Sequence, residues 1–148
     1  MIIDRLAAIT RRAARARARP LTSLSQFRDH VPITDFDFKG FRDAFLNRDA
    51  ERWLAYYSPH VEWWEYRHND PPSAPNVMRG LGEVGAFLHG VAASPIAMEI
   101  ENEVVDDSGA AFTLTVSFDD GRRIVENVIV THREGKVTRQ IDVEAWDH

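Results

Sequence analysis

The chain has 148 residues, 44% hydrophobic and 28% charged, which suits one domain built on one core. It has no cysteine, which excludes disulfides, iron–sulfur clusters and thiolate zinc sites, and no apolar run of about 18 residues, so no membrane span is expected. The net charge of −5 is uneven: residues 1–19 hold six arginines and one acid while the remainder carries −10, and a body so poor in clustered cations is not built for nucleic acid.

The basic head, "RRAARARARP", is rich in Arg and Ala. Its plain reading is a solvated, partly helical extension; a transit peptide or a basic arm for an anionic surface are the alternatives. It lacks the apolar segment of a secretory signal, and a cytoplasmic protein is expected. Residues 20–35, with Pro20 and Pro32, read as a linker. The division is therefore 1–35 as basic extension and linker, and 36–148 as the folded domain.

"TDFDFKGFRDAFLNRD" reads as a helix, with Phe38, Phe41 and Phe45 at i, i+3 and i+7 and a capping box of Thr34 with Asp37; Gly40 weakens it. Asp49 caps a second helix, "AERWLAYY", that buries Trp53, Leu54 and Tyr57. "VEWWEYRH" is a first strand, and "NDPPSAPN" a loop. "LGEVGAFLHGVAA" is a third helix with Leu81, Val84, Leu88 and Val91 on one stripe and Phe87 beside it. Strands follow at about 96–105, 110–119 and 122–132, then a last one in "GKVTRQIDVEAWDH". One face of that last strand carries Val137, Ile141, Val143 and Ala145, the other Thr138, Gln140, Asp142, Glu144 and Trp146. The order predicts an α+β domain with three N-terminal helices on one face of a curved antiparallel sheet.

Gly80 to Gly85 spells G-x-G-x-x-G, but the dinucleotide fingerprint needs a strand before it and a parallel βαβ unit around it. A proline-rich loop precedes it here, so the motif reads as a helix entry lying close to the sheet. His60 and His68 with Glu62 and Glu65 have no recognised metal-site spacing; no metal and no cofactor are expected.

The last hairpin turns at "REG". A two-residue turn would force Glu134 to positive φ, so a three-residue loop is expected, with Gly135 in the left-handed position. Glu126 then faces Asp142 across the strands. On a wet face this is a mild like-charge penalty; under helices, one carboxyl must stay protonated or become a poised base. Hydrophobicity alone leaves the choice of face open.

"NRDAERWLAYYSPHVEWWE", the Arg-Gly before the third helix, "SPIAMEIENEVVDDSGAAFTLTVSFDDGRR" and "EGKVTRQIDVEAWD" resemble the nuclear transport factor two-like superfamily over roughly 36–147. The likeness is to its SnoaL-like and ketosteroid isomerase-like branch, with a tail similar to limonene epoxide hydrolases. The resemblance implies a cystatin-like cone with a pocket between helices and sheet. It implies pocket positions at Gln140, Asp142 and Glu144, with Val130 and His132 from the strand before. It places the isomerase base on Glu65 and the epoxide hydrolase base on Asp142. It also places the isomerase's oxyanion tyrosine on Phe41 and its oxyanion aspartate on Val130, so a dienolate lacks those donors. The hydrolase's Arg-x-Asp pair has no match on "TLTVSF".

The expected function is binding of a small apolar or polycyclic molecule, with proton transfer in an isomerisation, cyclisation, dehydration or epoxide opening. Candidate acid–base groups are Asp142, Glu65, His132 and Glu126, each otherwise a plain strand charge or, for Glu65, a partner of Arg67. Tyr57, Trp63, Phe87, Leu114, Phe118 and Val128 join Val130, Gln140 and Glu144 as expected pocket residues, and loop 71–75 is expected at the mouth. The alternative is a non-catalytic ligand-binding or protein-interaction domain. A homodimer through the outer sheet face, with Thr113, Thr115, Ser117, Asn127 and Ile129, is implied by the resemblance.

Overall fold

The computed structural model describes residues 35–147; the arginine-rich head, most of the linker and Thr34 lie outside the described residues. Helix α1 (Phe38–Leu46) starts at Asp37, whose carboxylate accepts from the Gly40 N–H at 2.9 Å. The observed cap is Asp37, and the expected box partner Thr34 falls outside the described residues. Phe36 just before it packs on Phe41 with ring centroids 5.5 Å apart, a hydrophobic staple that fixes the chain's entry. Gly40 has a steric reason: a Cβ there would lie 2.1 Å from the Tyr56 hydroxyl and 2.2 Å from Asp37 Oδ2. Phe38, Phe41 and Phe45 are buried as their spacing predicts.

Asp49 caps α2 (Ala50–Leu54), accepting from the Arg52 N–H at 3.1 Å. This helix is shorter than expected, because Tyr57 already opens β1 (Tyr57–Tyr66). A short strand absent from the sequence reading, β2 (Asn76–Arg79), pairs antiparallel with β1 after the proline-rich loop. Helix α3 (Gly80–Ala93) follows and buries Val84, Gly85 and Leu88. A strand does precede the G-x-G-x-x-G segment, but it is an antiparallel edge strand and not part of a βαβ unit. Strands β3 (Ile96–Val105), β4 (Gly109–Phe118), β5 (Arg123–Arg133) and β6 (Lys136–Trp146) form the meander.

The sheet order is β2-β1-β6-β5-β4-β3. One pairing departs from the antiparallel expectation: β1 runs parallel to β6, with Glu65 opposite Asp142. The alternation of burial decides the face question. Tyr57, Val61, Trp63 and Glu65 of β1, Leu114 and Val116 of β4, Val128 and Val130 of β5, and Val137, Gln140 and Asp142 of β6 point inward. Val125, Ile129 and Val143 stand on the outer face at 42%, 48% and 51% exposure.

The last hairpin differs from expectation. It turns on two residues, Glu134 (φ 51°) and Gly135 (φ 73°), with Arg133 opposite Lys136. Two left-handed residues match the strands' right-handed twist, which is why such turns dominate short hairpins despite the local strain. The register then shifts, with His132 opposite Val137 but Thr131 opposite Arg139, so Thr138 is a bulge residue. The bulge turns Val137 inward, where it is fully buried, and sets Glu126 opposite Glu144 and Val128 opposite Asp142. Glu126 and Asp142 keep a common face but are diagonal neighbours instead of a direct pair.

Gly109 opens β4 against β5 with no room for a side chain, since a Cβ would sit 2.0 Å from the Val130 carbonyl oxygen and 3.2 Å from Thr131 Cα. That obstacle is backbone in the ladder. Gly109→Ala is expected to destabilise the fold by about 3 kcal/mol or more, measured as a drop in the urea midpoint.

Candidate functional site

Aromatic residues of α1 and α2 fill part of the inner face: Phe45 meets Trp53 and Phe112 with ring centroids 4.1 and 6.0 Å away. Beyond them a cavity of about 570 Å³ remains between α3 and the sheet. Its walls are mostly apolar, with Phe87 and Val91 from α3, Ile96 and Met98 from β3, Leu114, Val116 and Phe118 from β4, and Ile124 from β5. Its charged groups come from three strands and the residue that follows one of them: Glu65 from β1 and Arg67 just after it, Glu126 from β5, and Asp142 and Glu144 from β6. Cavities of this size and makeup suit a small molecule.

Asp142 is 2% exposed and is held by two donors. The Trp63 indole N–H donates to Oδ2 at 2.6 Å, and the Gln140 amide donates to Oδ1 at 3.0 Å. The Tyr57 hydroxyl donates to Gln140 Oε1 at 2.6 Å and accepts from the Trp53 indole at 3.2 Å. The direction of this chain is fixed by chemistry. An indole N–H only donates, so the Tyr57 oxygen accepts and its proton goes to the Gln140 oxygen, which turns the amide NH₂ toward Asp142. A carboxyl has about four lone-pair positions, so with two donors in place Asp142 still has room to take up or release a proton.

Burial raises the Asp142 pKa to about 8 from 3.8, with the Gln140 and Trp63 hydrogen bonds pulling down and the charges of Glu65 and Glu144 pushing up. Burial likewise drives Glu126 well above the usual range, reinforced by Asp142, Glu144 and Glu65. Glu144 is raised by burial as well, although the Trp146 indole donates to its Oε2 at 2.6 Å. Glu65 is engaged otherwise: its Oε2 lies 3.1 Å from Arg67 Nη2 and accepts from Asn76 Nδ2 at 2.6 Å.

The Asp142 shift has a sign for stability. Its folded value lies above the unfolded one, so its contribution is fully present below about pH 4 and is lost as pH rises through about 8. Asp142→Asn cannot ionise. Its loss of thermal stability between about pH 5 and pH 8.5 is expected to be smaller than that of the wild type.

The SnoaL-like domain family matches residues 38–140 of the chain. The chain belongs to the SnoaL-like domain family. Solved structures with the same fold include a candidate ketosteroid isomerase from Kribbella flavida, 18% identical, with a TM-score of 0.59 and 75% of each chain covered. Another is an NTF2-like protein of unknown function from Mesorhizobium loti, 13% identical, with a TM-score of 0.63, covering 73% of this chain and 87% of that one. A cystatin-like protein from Silicibacter pomeroyi is 14% identical, with a TM-score of 0.60 and coverage of 73% and 72%. A search of the curated proteins finds no match. At these identities the structural likeness speaks for the fold.

Within this SnoaL-like domain the expected site residues separate. Asp142, Glu65, Glu126, Glu144, Trp63, Phe87, Leu114 and Phe118 line the cavity. His132 does not: its side chain is 2% exposed, stacks on Phe36 with centroids 4.9 Å apart and has Nδ1 3.3 Å from Asp35. The segment entering α1 covers it. Tyr57 and Gln140 are buried behind the wall, bonded to its lining residues Trp53 and Asp142. Val128 and Val130 belong to the packed core, and loop 71–75 is not part of the lining. Phe41 and Val130, the positions on which the resemblance sets the isomerase's oxyanion donors, are fully buried and apolar.

Trp63 is the residue whose role the sequence reading missed. It read as wall, yet its indole N–H is the shortest donor to Asp142. The available signal was its place on the strand two residues before Glu65, on the same face.

No helix among the described residues is long and apolar enough to cross a membrane.

Proposed function

We propose that this SnoaL-like domain is a cofactor-independent acid–base enzyme acting on a small apolar or polycyclic molecule in its cavity. Its reaction class is isomerisation, cyclisation, dehydration or epoxide opening. The observation that carries the reading is Asp142, a carboxyl in an apolar cavity, oriented by Trp63 and Gln140 and poised near pH 8 by burial. A base works best with a pKa near the working pH, and a fixed orientation puts its free lone pair against the substrate. Glu126 lines the same cavity, its titration raised by burial, and no donor stands at Phe41 or Val130 for an oxygen on which charge develops. Glu65 serves as a positioning group, since Arg67 and Asn76 occupy its Oε2.

The test is deuterium uptake. Cyclic ketones and enones incubated with the protein in heavy water exchange their acidic C–H positions if Asp142 acts as base, and NMR follows the exchange. Exchange equal to that of the buffer across the panel, with binding observed, sinks the enzymatic reading. It leaves the second reading, a non-catalytic binding domain, which the apolar Phe41 and Val130 positions favour.

The outer sheet face is the dimer surface in this proposal, with Val125, Ile129 and Val143 exposed beside Asn127 and the β4 threonines Thr113 and Thr115. Contiguous apolar side chains on a wet face mark an interaction site. Ile129→Asp is expected to convert a dimer to a monomer in sedimentation velocity. A wild type that sediments as a monomer at all concentrations contradicts the assignment.

A further inference from the structure

The cavity's charge is lopsided. Four carboxyl side chains line it, and the single basic side chain in the lining among the described residues, Arg67, is committed to Glu65 at 3.1 Å and lies 3.8 Å from Asp70; His68, outside the lining, stands against Trp146 and acts on Glu144. Asp142 is held by Trp63 and Gln140, and Glu144 by Trp146. Glu126 differs. It is half-buried on the inner face, lines the cavity, and among the described residues accepts no hydrogen bond and forms no ion pair. A half-buried carboxyl on a mostly apolar wall, with no donor of its own, is open to a donor that a ligand brings. The groups that face it are Asp142 and Glu144 from β6, Glu65 from β1 and Arg67 just after it; among the described residues α3, β3 and β4 bring only apolar or neutral side chains to the lining. The rings of Phe87, Phe118 and Trp146 complete the walls, and aromatic faces also favour cations.

We infer that the cavity takes an apolar molecule bearing a protonated amine, its ammonium group seated on the Glu126 carboxyl. This rests on the reading of the cavity as a small-molecule site and names the substrate class for it. Where Glu126 carries its proton, entry of the ammonium ion displaces that proton to solvent, so the ligand's charge replaces it and the cavity gains no net charge. The raised titration of Glu126 sets the direction of the pH dependence. Affinity rises with pH, as the proton to be displaced is held less firmly, until the amine loses its own proton.

Three cage compounds of one shape separate the possibilities: adamantan-1-amine, adamantan-1-ol and adamantane-1-carboxylate, titrated calorimetrically into the whole chain. The amine is expected to bind at least about tenfold more tightly than the alcohol, with the carboxylate weakest, and with proton release seen as a heat that changes between buffers. In Glu126→Gln the advantage of the amine over the alcohol disappears while alcohol binding is kept. An alcohol that binds as tightly as the amine in the wild type overturns the inference and leaves the cavity reading standing. Failure of all three to bind overturns both.

Discussion

Asp142→Asn is expected to slow deuterium exchange by roughly 10²- to 10⁴-fold, the usual contribution of a positioned general base, while ligand binding stays within a few-fold. Asparagine keeps the shape but cannot take a proton. The loss should also be pH-dependent. Wild-type exchange rises as pH passes through about 8, where Asp142 ionises, and the variant has no such rise. The substituted amide would also face two donors, the Trp63 indole and the Gln140 side chain, with a single oxygen. A modest repacking is therefore expected, and the binding measurement separates it from loss of the base. If exchange survives in the variant with the same pH profile, Asp142 is not the base.

Gln140→Met is expected to lower stability by about 3 kcal/mol and to move the Asp142 titration higher still. Gln140 is fully buried and bridges Tyr57 to Asp142. Methionine matches its length but leaves the Tyr57 hydroxyl without its acceptor and Asp142 with one donor instead of two. Each buried polar group so stranded costs about 1–3 kcal/mol. Tyr57→Phe in the same background removes one of the stranded groups, so the double variant should lose less than the sum of the singles. Urea melts of the four proteins give the coupling. Strict additivity would mean that the chain from Trp53 to Asp142 does not act as a unit.

The helices were readable because their signals are local. Three phenylalanines at helical spacing and a cap at Asp49 fix α1 and α2 whatever the rest of the chain does. The short β2 was hidden by its position: four residues squeezed between prolines and a glycine show no alternation, and only pairing with β1 makes them a strand. The parallel pairing of β1 with β6 joins the first strand of the domain to the last, and no local pattern reports it. The hairpin shows a compensation invisible from sequence. The tight turn and the Thr138 bulge shift the register but together keep Asp142, Gln140 and Glu126 facing inward. That is why the carboxyl cluster survives although its expected pairing does not. The face itself was undecidable from hydrophobicity because the wet face carries Val125, Ile129 and Val143 and the inner face carries the acids. His132 was misplaced because its cover, Phe36, comes from a segment that alternation within β5 cannot reveal.

The central claim is that Asp142 sits desolvated in a ligand cavity with its proton in play. Carboxyl-carbon NMR of the aspartate-labelled protein, read from pH 3 to pH 10 with Asp142→Asn for assignment, tests it without any substrate. The Asp142 resonance is expected to titrate near pH 8. A midpoint near 4, roughly the ordinary aspartate value, would place the side chain in water and remove the base from the proposed mechanism.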